Sequence, residues 1–267
     1  MIPKKATRSL LFFTLILLIM LAPSFFLDGQ QHTIHLEQTL LLPRWIQVPY
    51  LGTDALGRDL LVQLCIALST SLWLALSALF VATLLAMIFS ISASWLPPKI
   101  SALLLWIPKA LFILPATLLS ASLLNITGQH TLTLWLTLLI APLFILTHFL
   151  HLSLASQKNE LYWLYSQSTG SQSAYRMMQH QLPYALYHIV PFAVARLPSL
   201  IILEGTLSFI GLGLQSPKLS LGLLLQQSIP HIQSYPHLFF VPALTFLFSL
   251  FLLQWMSLRL QMSLQRH

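Results

Sequence analysis

Charge is the scarcest property of this chain. Only 7% of its 267 residues are Asp, Glu, Lys or Arg, and six of them are acidic. A soluble domain carries several times that share on its surface, so none is expected here. Cysteine is almost absent as well. The single Cys65 excludes an internal disulfide and a cysteine metal cluster, and it reads as a small packing residue. No GxxxxGK[ST] string occurs, so the chain has no phosphate-cradling loop of its own. The 13 Lys and Arg residues give a net charge of +7, but they are scattered between apolar runs, and no basic patch points to nucleic acid. Ten histidines are present. His148 and His151 share a helix face and His32 and His35 share a loop, yet no acid or cysteine joins either pair in sequence. Zinc catalysis takes three protein ligands, so neither a metal centre nor an enzyme site is expected.

Hydrocarbon is what the chain has in abundance. With 57% hydrophobic residues and a mean hydropathy of +0.79, it reads as an all-α integral membrane protein of several helices. Lys4, Lys5 and Arg8 precede an apolar run from about Leu10 to Leu27, close to the roughly 20 residues a spanning helix needs. The run is longer than a signal core and no small-x-small cleavage site precedes Asp28, so a retained first helix is expected. Further spans are expected over about Ile66–Trp95, from the Pro97-Pro98 turn to Leu124 with Pro108 and Pro115 inside, and over Thr131–Leu152, Tyr184–Leu212 and Leu238–Leu258. The organisation is then a terminus at 1–9, a first span at 10–27, an external loop at 28–65 and a core at 66–267, with a loop at 153–183 inside it. Lys4, Lys5, Arg8, Lys99, Lys109, Lys158, Arg176, Arg259 and Arg266 fall on one side, against Arg44, Arg58 and Lys218 on the other. The positive-inside rule therefore puts both termini of a six-span chain in the cytoplasm.

Three stretches break the hydrocarbon. In KNELYWLYSQSTGSQSAYRMMQHQLP, residues 158–183, Leu161, Leu164, Tyr165 and Ser168 recur at helical spacing and Gly170 ends that helix. Tyr175, Met178 and Leu182 repeat in a second helix, and Pro183 marks its stop or the entry to the next segment. Two short amphipathic helices on one membrane side, carrying Lys158, Arg176 and His180, predict a docking surface. At 51–59, LGTDALGRD, Gly52 and Gly57 permit a tight path, and Asp54, Arg58 and Asp59 can pair with each other or with backbone amides. The fifth span carries Arg196 and Glu204, about 12 Å apart along one helix axis. Ionisable groups inside a membrane serve either a translocation path or a contact between helices, and both readings stand.

Taken together, these stretches resemble the permease subunits of binding-protein-dependent ABC importers, in the dipeptide, oligopeptide and nickel branch, as the C-type member of a permease pair. LGTDALGRD is similar to that branch's external signature after the first helix. Tyr162, Gly170, His180, Leu182 and Pro183 match its cytoplasmic coupling loop. Glu204, Leu207-Ser208-Phe209, Gly211-Leu212-Gly213, Gln215, Pro217 and Gly222 resemble its fifth-helix signature. The chain departs from the family pattern at Leu164, Tyr165 and Ser166, where Glu-Ala-Ala is frequent, at Lys109, where an acid is usual, and at Leu221, where Trp is common.

The resemblance implies a type I importer permease fold of six transmembrane helices, multi-pass in a bacterial inner membrane and surrounded by lipid. Its implied partners are a second permease subunit, two cytoplasmic ATP-binding subunits that hold ATP and Mg, and a periplasmic substrate-binding protein. No cofactor is implied on this chain. Leu161, Leu164, Tyr165 and Gly170 would dock the ATPase, with Arg176 and His180 bracing the second helix. The implied cargo is peptide ahead of nickel, for which the histidine pairs are the sole residue support. The missing Glu also leaves room for a non-transporting scaffold subunit.

Overall fold

A computed structural model describes residues 4–27, 35–43, 49–97, 99–103, 105–106, 115–158, 160–168 and 173–265. Apart from a single turn at Pro23–Phe26, the helices in chain order are α1 (Lys4–Leu21), α2 (Leu60–Trp95), α3 (Ala116–Thr127), α4 (Thr131–Gln157), α5 (Leu161–Ser168) and α6 (Ser173–Arg176). They continue with α7 (Leu182–Val194), α8 (Leu197–Phe209), α9 (Leu221–Ser228) and α10 (His237–Gln265). The described residues form no strand, only an isolated antiparallel bridge between Thr53 and Asp59. Among them α2, α4 and α10 are long and apolar enough to cross a membrane, and α7 with α8 makes a fourth candidate span bent by 42°.

The bundle is organised on α2 and α4. Along α4 every fourth residue is buried, through Leu134, Leu138, Pro142, Leu146, Leu150 and Leu154. The facing stripe of α2 is small, with Ala75, Ala78, Ala82, Ala86 and Ser90 all buried. Large side chains set into a small-residue stripe let two axes approach closely, which is how helices associate where lipid removes the hydrophobic drive. Two hydrogen bonds pin the register: Ser90 Oγ donates to the Thr147 carbonyl at 3.0 Å, and Trp135 Nε1 donates to Ser77 Oγ at 2.9 Å. Ile189 and Ala193 of α7, Leu197 and Ile201 of α8, and Leu253 and Met256 of α10 complete the core.

Helix boundaries differ from the sequence expectation for local reasons. The second span starts at Leu60, six residues before Ile66, because Asp59 caps it: its Oδ1 accepts the Leu61 N–H at 2.8 Å. The fourth runs past Leu152 to Gln157. Pro115 lies at the N-cap of α3 and not inside a helix, while Pro108 and Lys109 lie outside the described residues. The fifth span is two helices. In a continuous helix the Pro198 ring would strike the carbonyl of Val194, and α7 ends at Val194. Arg196 caps the second of these helices and Glu204 lies within it, so the break falls ahead of both.

The expected second coupling helix is also not separate. From Ser173 the chain passes through a π turn at Met177–Gln181 straight into α7. In that turn the Leu182 N–H reaches the Met177 carbonyl, five residues back. The wider turn carries the helix past Pro183, which has no N–H to give. Gly170 lies outside the described residues.

Candidate functional site

At the bundle end formed by the C-termini of α2 and α4, the short helix α5 has two unlike faces. Trp163, 2% exposed, and Ser166 are buried, whereas Leu161 (83% exposed), Leu164 and Tyr165 (71%) point away from the bundle. Trp163 meets Trp95, the last residue of α2, edge to face with centroids 6.3 Å apart. The Arg176 guanidinium caps both indoles, 5.5 Å from Trp95 and 5.7 Å from Trp163. One cation thus holds α5 to α2 and to the start of the fifth span.

Buried amides reinforce this clamp. Trp95 Nε1 donates to Gln181 Oε1 at 2.7 Å, and Gln181 Nε2 donates to Ser94 Oγ at 3.0 Å. Gln157, at the end of α4, donates to the His180 carbonyl at 3.1 Å. Lys158 donates to the Ser94 carbonyl at the C-terminal end of α2, where the helix dipole favours a cation, although burial lowers the pKa of its ammonium. The His180 ring lies 5.7 Å from that of Tyr162 and 6.2 Å from that of Tyr175. Arg176 and His180 are therefore gathered against α5, and Pro183 sits in the first turn of α7. Trp95, Trp163, Gln157 and Gln181 belong to the same cluster, and no motif in the sequence pointed to them.

At the opposite end, Asp54 is the hub of the LGTDALGRD loop. Its Oδ1 accepts the N–H groups of Leu56 at 2.9 Å and Arg58 at 2.8 Å. Its Oδ2 takes Arg58 Nε at 2.7 Å and Gln63 Nε2 at 2.9 Å, and Arg58 completes the ion pair through its terminal nitrogen at 2.7 Å. Gln63 belongs to the first turns of α2, so the loop is fixed to that helix. Gly52 and Gly57 have positive φ of 83° and 73°, and a Cβ at either would overlap a carbonyl oxygen, that of Leu41 or of His35. Asp59 does not join the Asp54–Arg58 pair, being committed to the α2 cap. A cavity of about 250 Å³ beside the loop is lined by Asp54, Arg58, Gln63, Ser216, Gln227 and His231.

Asp54→Ala should lower stability by about 3 kcal/mol, because it strands the largely buried Arg58 without its counter-charge. Asp59→Ala should cost only about 1 kcal/mol, the worth of one helix cap. Thermal unfolding of the solubilised protein measures both, and equal losses would contradict the hub.

Between the ends, Glu204 is wholly buried and held by hydroxyls: Ser71 donates to Oε2 at 2.8 Å and Ser208 to Oε1 at 2.6 Å, with Ser220 adjoining. It pins α8 to α2 and to the segment entering α9. Arg196 stands at the break between α7 and α8, its guanidinium 4.6 Å from the Phe192 ring, which stacks on Phe149 at 3.9 Å. Arg196 and Glu204 are not brought together. Among the described residues no three His, Cys, Asp or Glu side chains gather as a metal site.

No protein-family model matches the chain. It is 23% identical to the oligopeptide transport system permease protein OppC of Bacillus subtilis (strain 168) over 181 residues, 68% of this chain and 59% of that protein. Over 185 residues it is 26% identical to the dipeptide transport system permease protein DppC of the same organism, covering 69% of this chain and 58% of that one. Against OppC of Haemophilus influenzae (strain ATCC 51907 / DSM 11121 / KW20 / Rd) the identity is 26% over 231 residues, 86% of this chain and 74% of the relative. The matched region thus spans about three-fifths of the length of the two Bacillus relatives.

Proposed function

We propose, from its similarity to peptide transport system permease proteins, that this chain is a membrane subunit of an ATP-driven peptide importer. The observation that carries the reading is the two-faced helix α5, apolar and exposed on one side and clamped to the spans on the other. A cytoplasmic ATPase docked on Leu161, Leu164 and Tyr165 would push on a helix that cannot move alone. Through Trp163, Arg176 and Trp95 the push reaches α2, and through Gln157 and Gln181 it reaches α4 and α7. Two-state ATPase closure is then converted into a tilt of the bundle and a change of access.

In this reading the chain spans the membrane six times, using α1, α2, the segment ending in α3, α4, the bent pair α7–α8, and α10. Both termini and α5 are cytoplasmic, and the Asp54 loop faces a periplasmic binding protein. A second permease subunit completes the path, and ATP and Mg sit on two partner ATPases, since this chain has no phosphate loop. Peptide is preferred over nickel because these relatives are named for oligopeptide and dipeptide transport.

The double variant Leu161→Asp, Leu164→Asp puts charge on the docking face without touching the clamp. Co-purification of the partner ATPase with it should fall about tenfold or more, the loss expected on removing central apolar anchors. Equal recovery of ATPase would contradict docking at α5, and no recovery with either chain would favour a non-transporting scaffold.

A further inference from the structure

The bent span runs through Met177–Val194 and Leu197–Phe209, so Arg196 has about 27 Å of helix before it and about 20 Å after it and lies near the middle. A cation at that depth is costly and needs a compensating role. Among the described residues it has no counter-charge: the one ion pair is Arg58–Asp54, Glu204 is held by serines, and Arg196 Nε is buried without a hydrogen-bond partner.

The guanidinium is nevertheless held in place. It lies over Phe192, and Phe192 is backed by Phe149 of α4. It lines a cavity of about 220 Å³ whose wall includes the hydroxyl-bearing Thr117 and Ser199 together with Pro142, Ile145 and Leu203. Thr117, Ser199 and Ile202 are exposed, so the cavity opens on the surface of this chain. Arg196 is also the N-cap of α8, where the helix dipole adds partial positive charge. A preplaced guanidinium with hydroxyls nearby suits a carboxylate, which it can bind through two parallel N–H donors. A metal cation would be repelled.

We propose that Arg196 and its cavity form a carboxylate-binding point midway along the translocation path, which takes the anionic group of a peptide as it crosses. The proposal rests on the peptide-importer reading and adds the chemical group that is recognised. The carboxylate comes either from the chain terminus or from an acidic side chain.

The test uses the whole complex in proteoliposomes, with the partner permease, ATPases and binding protein. Three peptides are offered at concentrations that saturate the binding protein: a neutral tripeptide with a free C-terminus, its C-terminal amide, and an amide bearing one Asp. Transport of the free acid should exceed that of the plain amide about tenfold, as loss of a charged hydrogen bond implies. Arg196→Gln should bring the ratio close to one, and Arg196→Lys should retain most of it. The Asp-containing amide matching the free acid assigns recognition to any carboxylate, and its matching the plain amide assigns it to the chain end. Should Arg196→Gln fail to assemble, Ser199→Ala serves instead, with the ratio expected to fall about threefold. A wild-type ratio near one, or a ratio unchanged in the variants, overturns the proposal while leaving the importer reading intact. No transport of any peptide removes the importer reading and this proposal with it.

Discussion

Arg176→Ala is expected to leave a complex that still assembles but in which cargo no longer drives hydrolysis, the ratio of cargo-stimulated to resting ATPase activity falling about tenfold. Arg176 lies over the buried indoles and not on the exposed Leu161, Leu164 and Tyr165 face proposed for docking. It spans two indoles, one on α5 and one at the end of α2, and each contact is worth about 0.5–1 kcal/mol, so losing both allows a change of that size. The hydrogen bonds from Trp95 to Gln181 and from Gln181 to Ser94 still tie α2 to the fifth span, so the bundle should hold while α5 loosens from it. Arg176→Lys should be intermediate, because an ammonium keeps the charge and loses the planar stacking. Trp163→Ala should be worse in a different way, costing about 3–5 kcal/mol of stability by emptying a buried aromatic site. Unimpaired stimulation in Arg176→Ala would mean that the clamp does not transmit.

Gly222→Ala should give the largest stability loss of any single methyl addition considered, about 3 kcal/mol, at the upper end of what overpacking costs. The new Cβ would overlap the carbonyl oxygen of Gly205 and lie 2.8 Å from its Cα, so backbone must move, and no side chain can swing aside to relieve it. Any such movement separates α9 from α8 and draws Ser220 away from Glu204. Gly128→Ala provides the control. It adds a methyl at a positive φ of 90°, but the nearest atom is the His130 ring at 3.3 Å, so about 1 kcal/mol is expected from backbone conformation alone. Unfolding midpoints of the two solubilised variants measure the difference, and equal shifts would contradict the close α8–α9 contact.

Hydropathy placed the long helices because a spanning segment must satisfy its own backbone in lipid, whatever its neighbours. The ends were harder, though two carried readable signals: Asp59 as a cap ahead of Leu60, and Pro198 four residues after Val194. Helical spacing singled out Leu161, Leu164 and Tyr165, and the structure leaves all three side chains exposed. Their support was not legible, because it comes from remote segments. Trp95 reaches Trp163 from 68 residues away, and Ser71 reaches Glu204 from 133 residues away. Local spacing also suggested a separate second coupling helix, whereas the π turn merges that segment with the fifth span. Helical rise put Arg196 and Glu204 about 12 Å apart, too far to pair directly, but the serine hydroxyls that hold Glu204 instead were not legible.

The most direct measurement is ATP hydrolysis by the reconstituted complex of this chain with its partner permease, ATPases and binding protein, with and without peptide. Peptide-loaded binding protein is predicted to raise the rate with the wild-type chain and to leave it at the resting level with Leu161→Asp, Leu164→Asp. A rate indifferent to peptide in the assembled wild-type complex would contradict the importer reading.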